Sequence, residues 1–145
     1  MASIIKQIQE DVERRIEELL PEAVEVISRR RGHISNDIAA ALAKKKMAVL
    51  CFPPSIGGIK PNIGSSLYAD GCEMEVHVCE APTLNKTGID AYEAVERLLS
   101  LNLYKTSGGT LVSVKEVLDG SPEDKKIVEF VITLSLSSIA FPRIA

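Results

Sequence analysis

At the start of the chain, apolar residues recur at Ile4, Ile5, Ile8, Val12, Ile16, Leu19 and Leu20, with Glu, Gln, Lys and Arg between them. That spacing draws one apolar stripe along a helix over 3–20. Ser3 stands where an N-cap belongs. Pro21 suits the first turn of a second helix, running to about Arg30 and ending at Gly32. Ser35 or Asn36 caps a third, over 37–46, with Ile38, Ala39, Ala40, Ala41 and Leu42 as its apolar centre and Lys44, Lys45 and Lys46 at its negative end. The period then changes. Met47-Ala-Val-Leu-Cys-Phe52 is an unbroken apolar run closed by Pro53-Pro54, which predicts a buried strand.

Residues 53–66 are rich in Gly, Pro, Ser and Asn and read as a long loop. In 72–79, Cys72, Met74, Val76 and Val78 alternate with Glu73, Glu75, His77 and Cys79, the mark of a strand buried on one face. A polar connection, 81–88, precedes a helix over 89–101 with apolar positions at Ala91, Ala94, Val95, Leu98 and Leu99. After a turn at Ser107-Gly-Gly109, strands are expected at 110–118 and 125–137, joined by a hairpin loop at 119–124. In the second of these, Phe130, Ile132, Leu134 and Leu136 share a face. The whole apolar stretch 127–140 reads as strand.

This order predicts an α+β fold. A mainly antiparallel four-stranded sheet carries helices on one face, with extra helices at the N-terminus. One domain of 145 residues is expected, a helical region over 1–46 preceding a sheet-and-helix core over 47–145.

Composition changes this picture little. Hydrophobic residues at 46% and charged residues at 26% are those of a chain that folds. A net charge of −3 argues against binding nucleic acid through a broadly basic surface. Trp is absent and aromatics make up 4%, too few for a stacking platform. No apolar run is long enough for a membrane span, and the first residues lack the apolar core of a secretory signal. Three cysteines, Cys51, Cys72 and Cys79, are an odd set, expected to stay reduced in a cytosol.

Several local patterns touch on chemistry. Glu75, His77 and Cys79 sit at alternate strand positions and could face a zinc ion together. No second ligand cluster accompanies them, and a solvent-facing polar strand face is the plainer reading. Cys79 with His77 and Glu80 nearby is the one arrangement suggesting nucleophilic catalysis, but nothing in the sequence supplies the strand-to-helix turn of a nucleophile elbow. The Gly57–Ser66 stretch places Lys60 before its last glycine, not after it, and so lacks the order of a phosphate loop. The runs Arg29-Arg30-Arg31 and Lys44-Lys45-Lys46 could meet an acidic partner or nucleic acid, and are more simply solvated helix ends. The stripe of the first helix either packs on the chain's own sheet or is offered to another subunit. No catalytic, cofactor or metal residues are assigned.

A longer pattern begins at Glu75-Val-His-Val-Cys-Glu-Ala-Pro-Thr-Leu-Asn-Lys86, continues in the helix Ala91-Tyr-Glu-Ala-Val-Glu-Arg-Leu-Leu99, and ends in the final strand 127–136. From about Met47 onward it resembles the small tail-completion and tail-terminator-like proteins of tailed bacteriophages, of the Gp37-like kind. The resemblance implies a non-enzymatic subunit with no cofactor and no small-molecule substrate. It implies a six-membered ring of identical chains that caps the tail tube and docks neck or connector proteins, with nucleic acid at most passing through. Assembly in the host cytoplasm and residence in the virion tail or neck follow. The 53–66 and 81–88 segments would be the contact arms, with Ile56, Lys60, Asn62, Asn85 and Lys86 at the interface. A protein-binding adaptor or a toxin-neutralising partner is the alternative.

Overall fold

A computed structural model describes residues 3–28, 47–61, 67–81, 85, 87–105, 111–119, 128–136 and 138–141. The chain begins with α1 (Ile4–Leu19). Ser3 caps it, its hydroxyl accepting from the Lys6 amide at 3.3 Å. Ile8, Val12 and Ile16 are fully buried, and each such side chain contributes about 1.5–3 kcal/mol. The polar residues stay outside except Gln9 and Asp11, which are buried; Gln9 donates to the Cys51 carbonyl at 2.9 Å.

Residues 21–28 do not form part of the second helix. The chain turns at Pro21, whose carbonyl accepts from the Val24 amide at 3.0 Å. It then runs as β1 (Glu25–Ser28), parallel to β2 (Met47–Cys51). Proline disfavours helical backbone in the residue before it, and Leu20 is extended at φ −114°, ψ 155°. Val24, Val26 and Ile27 are β-branched and suit a pleated sheet better than a helix. The helix expected over 37–46 lies outside the described residues. β2 is buried along its whole length, which explains its unbroken apolar run.

The main sheet has five strands in the order β1-β2-β5-β7-β6, where β5 is Glu73–Glu80, β6 is Val112–Asp119 and β7 is Val128–Leu136. Its four antiparallel strands are the four expected from the sequence, and β1 is the addition. Lys115 forms a bulge between Val114 and Glu116. Beyond β5, α2 (Ala91–Leu98) continues as a 3-10 turn over Leu99–Leu103. The main core gathers Ile8, Val12 and Ile16 of α1, Ala94 and Leu98 of α2, and one face of the sheet, including Met74, Val76, Ile132 and Leu134. A smaller cluster of Ala48, Leu50, Phe52 and Cys79 lies on the opposite face.

The predicted loop 53–66 contains a strand. β3 (Gly58–Pro61), β4 (Leu67–Asp70) and β8 (Ile139–Phe141) make a second, three-stranded antiparallel sheet in the order β3-β4-β8. The single strand expected over 127–140 is therefore two, β7 and β8. The two sheets share one ribbon. Glu73 faces Ser135 in the β5–β7 pair, and Ala69 faces Ile139 in the β4–β8 pair, so the register carries through the junction unchanged. The Leu136 amide donates to the Cys72 carbonyl at 3.0 Å within it. The buried positions change parity there: Met74, Ile132 and Leu134 on one side, Ala69 and Ile139 on the other. Gly71, at φ 69°, supplies the left-handed backbone at this bend.

Candidate functional site

The bent ribbon carries β3 outward as a hairpin arm. At its base, Ala69 and Ile139 belong to the main core. Farther along the same face the arm shows apolar side chains to solvent: Ile59 is 59% and Leu67 is 49% exposed. Ile56, just before the arm, is also exposed. The arm is built to hold its position. The Ser55 amide and hydroxyl both donate to the Glu73 carbonyl, at 2.7 and 3.0 Å. Gly57 lies so close to β4 that a Cβ there would fall 1.7 Å from the Asp70 carbonyl oxygen. Asp70 ties the strands together, facing the Lys60 ammonium at 3.4 Å and accepting from the Ser138 hydroxyl at 3.0 Å. Of the residues assigned to this arm, Ile56 and Lys60 are thus at the surface, and Asn62 lies outside the described residues.

The second expected arm is different in character. Asn85 turns inward: its amide donates to Glu80 Oε2 at 2.5 Å and to the Ile89 carbonyl at 2.7 Å. Its oxygen accepts from the Thr87 amide at 2.9 Å and the Thr87 hydroxyl at 2.7 Å. Glu80, only 4% exposed, uses its other oxygen to accept from the Ala91 amide at 3.1 Å. A carboxylate at a helix N-terminus satisfies an orphan donor and faces the positive end of the helix dipole. Asp90 adds the side-chain cap on the Glu93 amide at 2.8 Å. Asn85 therefore fastens α2 to the end of β5. Lys86 lies outside the described residues.

The polar face of β5 is not a solvated one. His77 is 6% exposed and Cys79 is fully buried. Both ring nitrogens of His77 are engaged, Nδ1 with Glu129 at 2.8 Å and Nε2 with Glu75 at 3.2 Å. Phe52 packs edge-on against the ring at 4.9 Å. Burial alone pulls the imidazole pKa down. The hydrogen bonds and charges of Glu129 and Glu75 more than reverse this, so it stands above its ordinary value. Burial, with help from the Glu129 charge, pushes the Cys79 thiol up to about 12. Such a thiol is not a thiolate at neutral pH, and His77 has no nitrogen left to activate it. Among the described residues, no group of three or more His, Cys, Asp or Glu side chains is arranged to hold a metal ion. A strand, β4, follows residues 57–66 where a phosphate loop needs a helix. The two basic runs at 29–31 and 44–46 lie outside the described residues.

Other exposed apolar side chains are Leu103 at 83% and Leu111 at 57%, beside the bridge that pairs Lys105 with Leu111 ahead of β6. Tyr92, though exposed, leans on Phe130 with ring centroids 5.2 Å apart.

No known family model matches the chain, and no curated protein matches it. Among solved structures, it is similar to a chain from the virion of a native gene transfer agent particle. The match has a TM-score of 0.61 at 11% identity and covers 97% of this chain and 100% of the other. At that identity the likeness is one of fold, and it extends over essentially the full length of both chains. No helix among the described residues is long and apolar enough to cross a membrane.

Proposed function

We propose that this chain is a non-enzymatic structural subunit of a phage or phage-like particle, which assembles with copies of itself into a ring that completes or terminates a tail tube and docks the neck. The full-length fold likeness to a virion chain carries the reading. It accords with the order of strands and helix that resembles tail-completion proteins.

The hairpin arm is the contact element in this reading. A pinned extension of the three-stranded sheet, with Ile59 and Leu67 outward, offers apolar surface that its own chain leaves in water. Neighbouring copies related by one rotation bury such surfaces in turn, and the ring closes when that rotation divides a full turn. The expected partners are further copies of this chain, the tail tube and the neck or connector proteins. Assembly takes place in the host cytoplasm.

Sedimentation velocity over a wide concentration range, with negative-stain images of the densest sample, tests this. A closed ring is expected from the wild type. Ile59→Asp with Leu67→Asp should keep the thermal transition and abolish the ring. A wild-type chain that stays monomeric throughout removes the ring reading. A wild-type ring unaffected by the substitutions removes the arm from it.

A further inference from the structure

Apart from Tyr92, which rests on Phe130, the large apolar side chains exposed among the described residues fall into two groups. Ile56, Ile59 and Leu67 belong to the hairpin arm and its approach. Leu99 and Leu103 flank the buried Leu101 in the 3-10 turn, and Leu111 stands at the head of β6, against which that turn packs. A subunit that buries two different faces in an assembly leaves two such patches in water when it is alone.

The patches lie at opposite edges of the bent ribbon. The Phe52 amide donates to the Glu75 carbonyl at 3.1 Å, and the Ser55 amide to that of Glu73 at 2.7 Å. The chain thus follows one edge of β5 from β2 toward β3, and at the level of the arm β3 is the outermost strand. On the other side β6 is outermost, beyond β7. Three strand spacings, about 14 Å, separate these two edges. The arm is pinned, so one chain does not bring its own patches together. Their level and facing agree. Leu111 adjoins Val112, whose partner Leu136 ends β7 at the bend from which the arm springs. Ile59 is opposite Ala69 in register, and Ala69 and Leu101 both belong to the main core. Both patches therefore border the side of the sheet that carries the helices.

We propose that the apolar face of the arm docks on the Leu99, Leu103 and Leu111 patch of a second copy of the chain. A sideways step of one copy past the β6 edge of another lays arm on patch without turning either over, and repetition with a fixed rotation closes a ring. The contact joins two apolar surfaces and adds no strand to a sheet. The outer strand β3 carries Lys60 and Pro61, and β6 is broken by the bulge at Lys115, features that discourage edge pairing. The proposal rests on the self-assembly reading above and adds to it the surface that receives the arm. Each copy gives its arm to one neighbour and its patch to the other, so arms do not meet arms.

Two full-length variants, each spoiled on one side, test this. Ile59→Asp with Leu67→Asp spoils the arm, and Leu103→Asp with Leu111→Asp spoils the patch. Sedimentation velocity should show the association of either variant alone weakened about tenfold or more. An equimolar mixture keeps one intact pairing, the arm of the patch variant on the patch of the arm variant, so pairs should form and nothing larger. Cross-linking reads the same contact without disturbing it. Ile59→Cys in one chain and Leu103→Cys in another, treated with a flexible bismaleimide, should give a dimer in the mixture that neither gives alone. The native Cys51, Cys72 and Cys79 are fully buried and leave the introduced thiols as the reactive ones. Circular dichroism melts establish that the variants fold, and the cysteine pair decides where an aspartate variant does not. A patch variant that assembles as the wild type does overturns the proposal. So does Ile59→Cys cross-linking to itself and not to Leu103→Cys, which points to arms meeting arms. A wild type that never associates overturns the ring reading itself, a result distinct from a ring indifferent to the patch.

Discussion

Replacing Glu129 by Gln tests the charge state of the His77 cluster, because it removes one charge while keeping the shape and an acceptor. The imidazolium holds two carboxylates, but unequally. The Glu129 side chain is 17% exposed and 2.8 Å from Nδ1, and that of Glu75 is 39% exposed and 3.2 Å from Nε2. A buried charge-assisted hydrogen bond contributes about 1.5–3 kcal/mol. Water screens the Glu75 contact, which falls to about 1 kcal/mol or less. Because the folded pKa of His77 is raised, the contribution is complete below the unfolded value of about 6.5. It is lost as pH climbs through the folded value. Urea unfolding at a series of pH values from about 5.5 to 9 measures it. At the acid end Glu129→Gln should cost about 1.5–3 kcal/mol and Glu75→Gln about 1 kcal/mol or less. The gap between wild type and Glu129→Gln should narrow steadily toward the alkaline end. A gap constant across the series, or one that widens with pH, refutes a charged imidazole at this position.

Gly57→Ala forces a Cβ against the Asp70 carbonyl. It should loosen β3 from β4 and raise amide exchange in 58–60 and 67–70, with the main sheet still protected. Glu80→Ala leaves the Ala91 amide and the Asn85 side chain without their shared acceptor, at a cost of about 1–3 kcal/mol in urea unfolding. Asn85→Ala should act in the same direction, and the two losses should not add, because the residues share one network. Cys51, Cys72 and Cys79 are fully buried, and burial raises the Cys51 thiol as well as that of Cys79. A thiol reagent should therefore label none of the three until urea unfolds the chain.

The parts of the fold written as simple periods were legible. The stripe from Ile8 to Ile16 gives α1, and the alternation from Cys72 to Val78 gives β5. The unbroken 47–51 run gives a strand buried on both faces. β1 was lost because Pro21 can either open a helix or follow one, and four residues make too short a period to decide. The β-branched Val24, Val26 and Ile27 were the available signal. The break between β7 and β8 is written as a slip of phase, with Leu134 and Leu136 on even positions and Ile139 on an odd one. A hydropathy run hides that slip. Of the residues expected at an interface, Ile56 and Lys60 could be placed at the surface because loops rich in Gly and Pro run there. The inward turn of Asn85 depends on Glu80, and a carboxylate buried by helix docking leaves no mark in local spacing. The same holds for Glu129, fifty-two residues from His77 in the chain.

The uninterrupted register between the two sheets bears on how the arm carries load. β4 and β8 are the covalent continuations of β5 and β7, and β7 is paired along both edges, from Glu80–Val128 to Glu73–Ser135 on one side and from Asp119–Phe130 to Val112–Leu136 on the other. A pull on the arm therefore reaches the interior of the main sheet as tension along β5 and β7, two strands with neighbours on both sides. Hydrogen bonds loaded in that direction share the force and yield together, in shear, whereas an appendage at a sheet edge would unzip rung by rung. The arm is the free end of the chain's best-anchored beam.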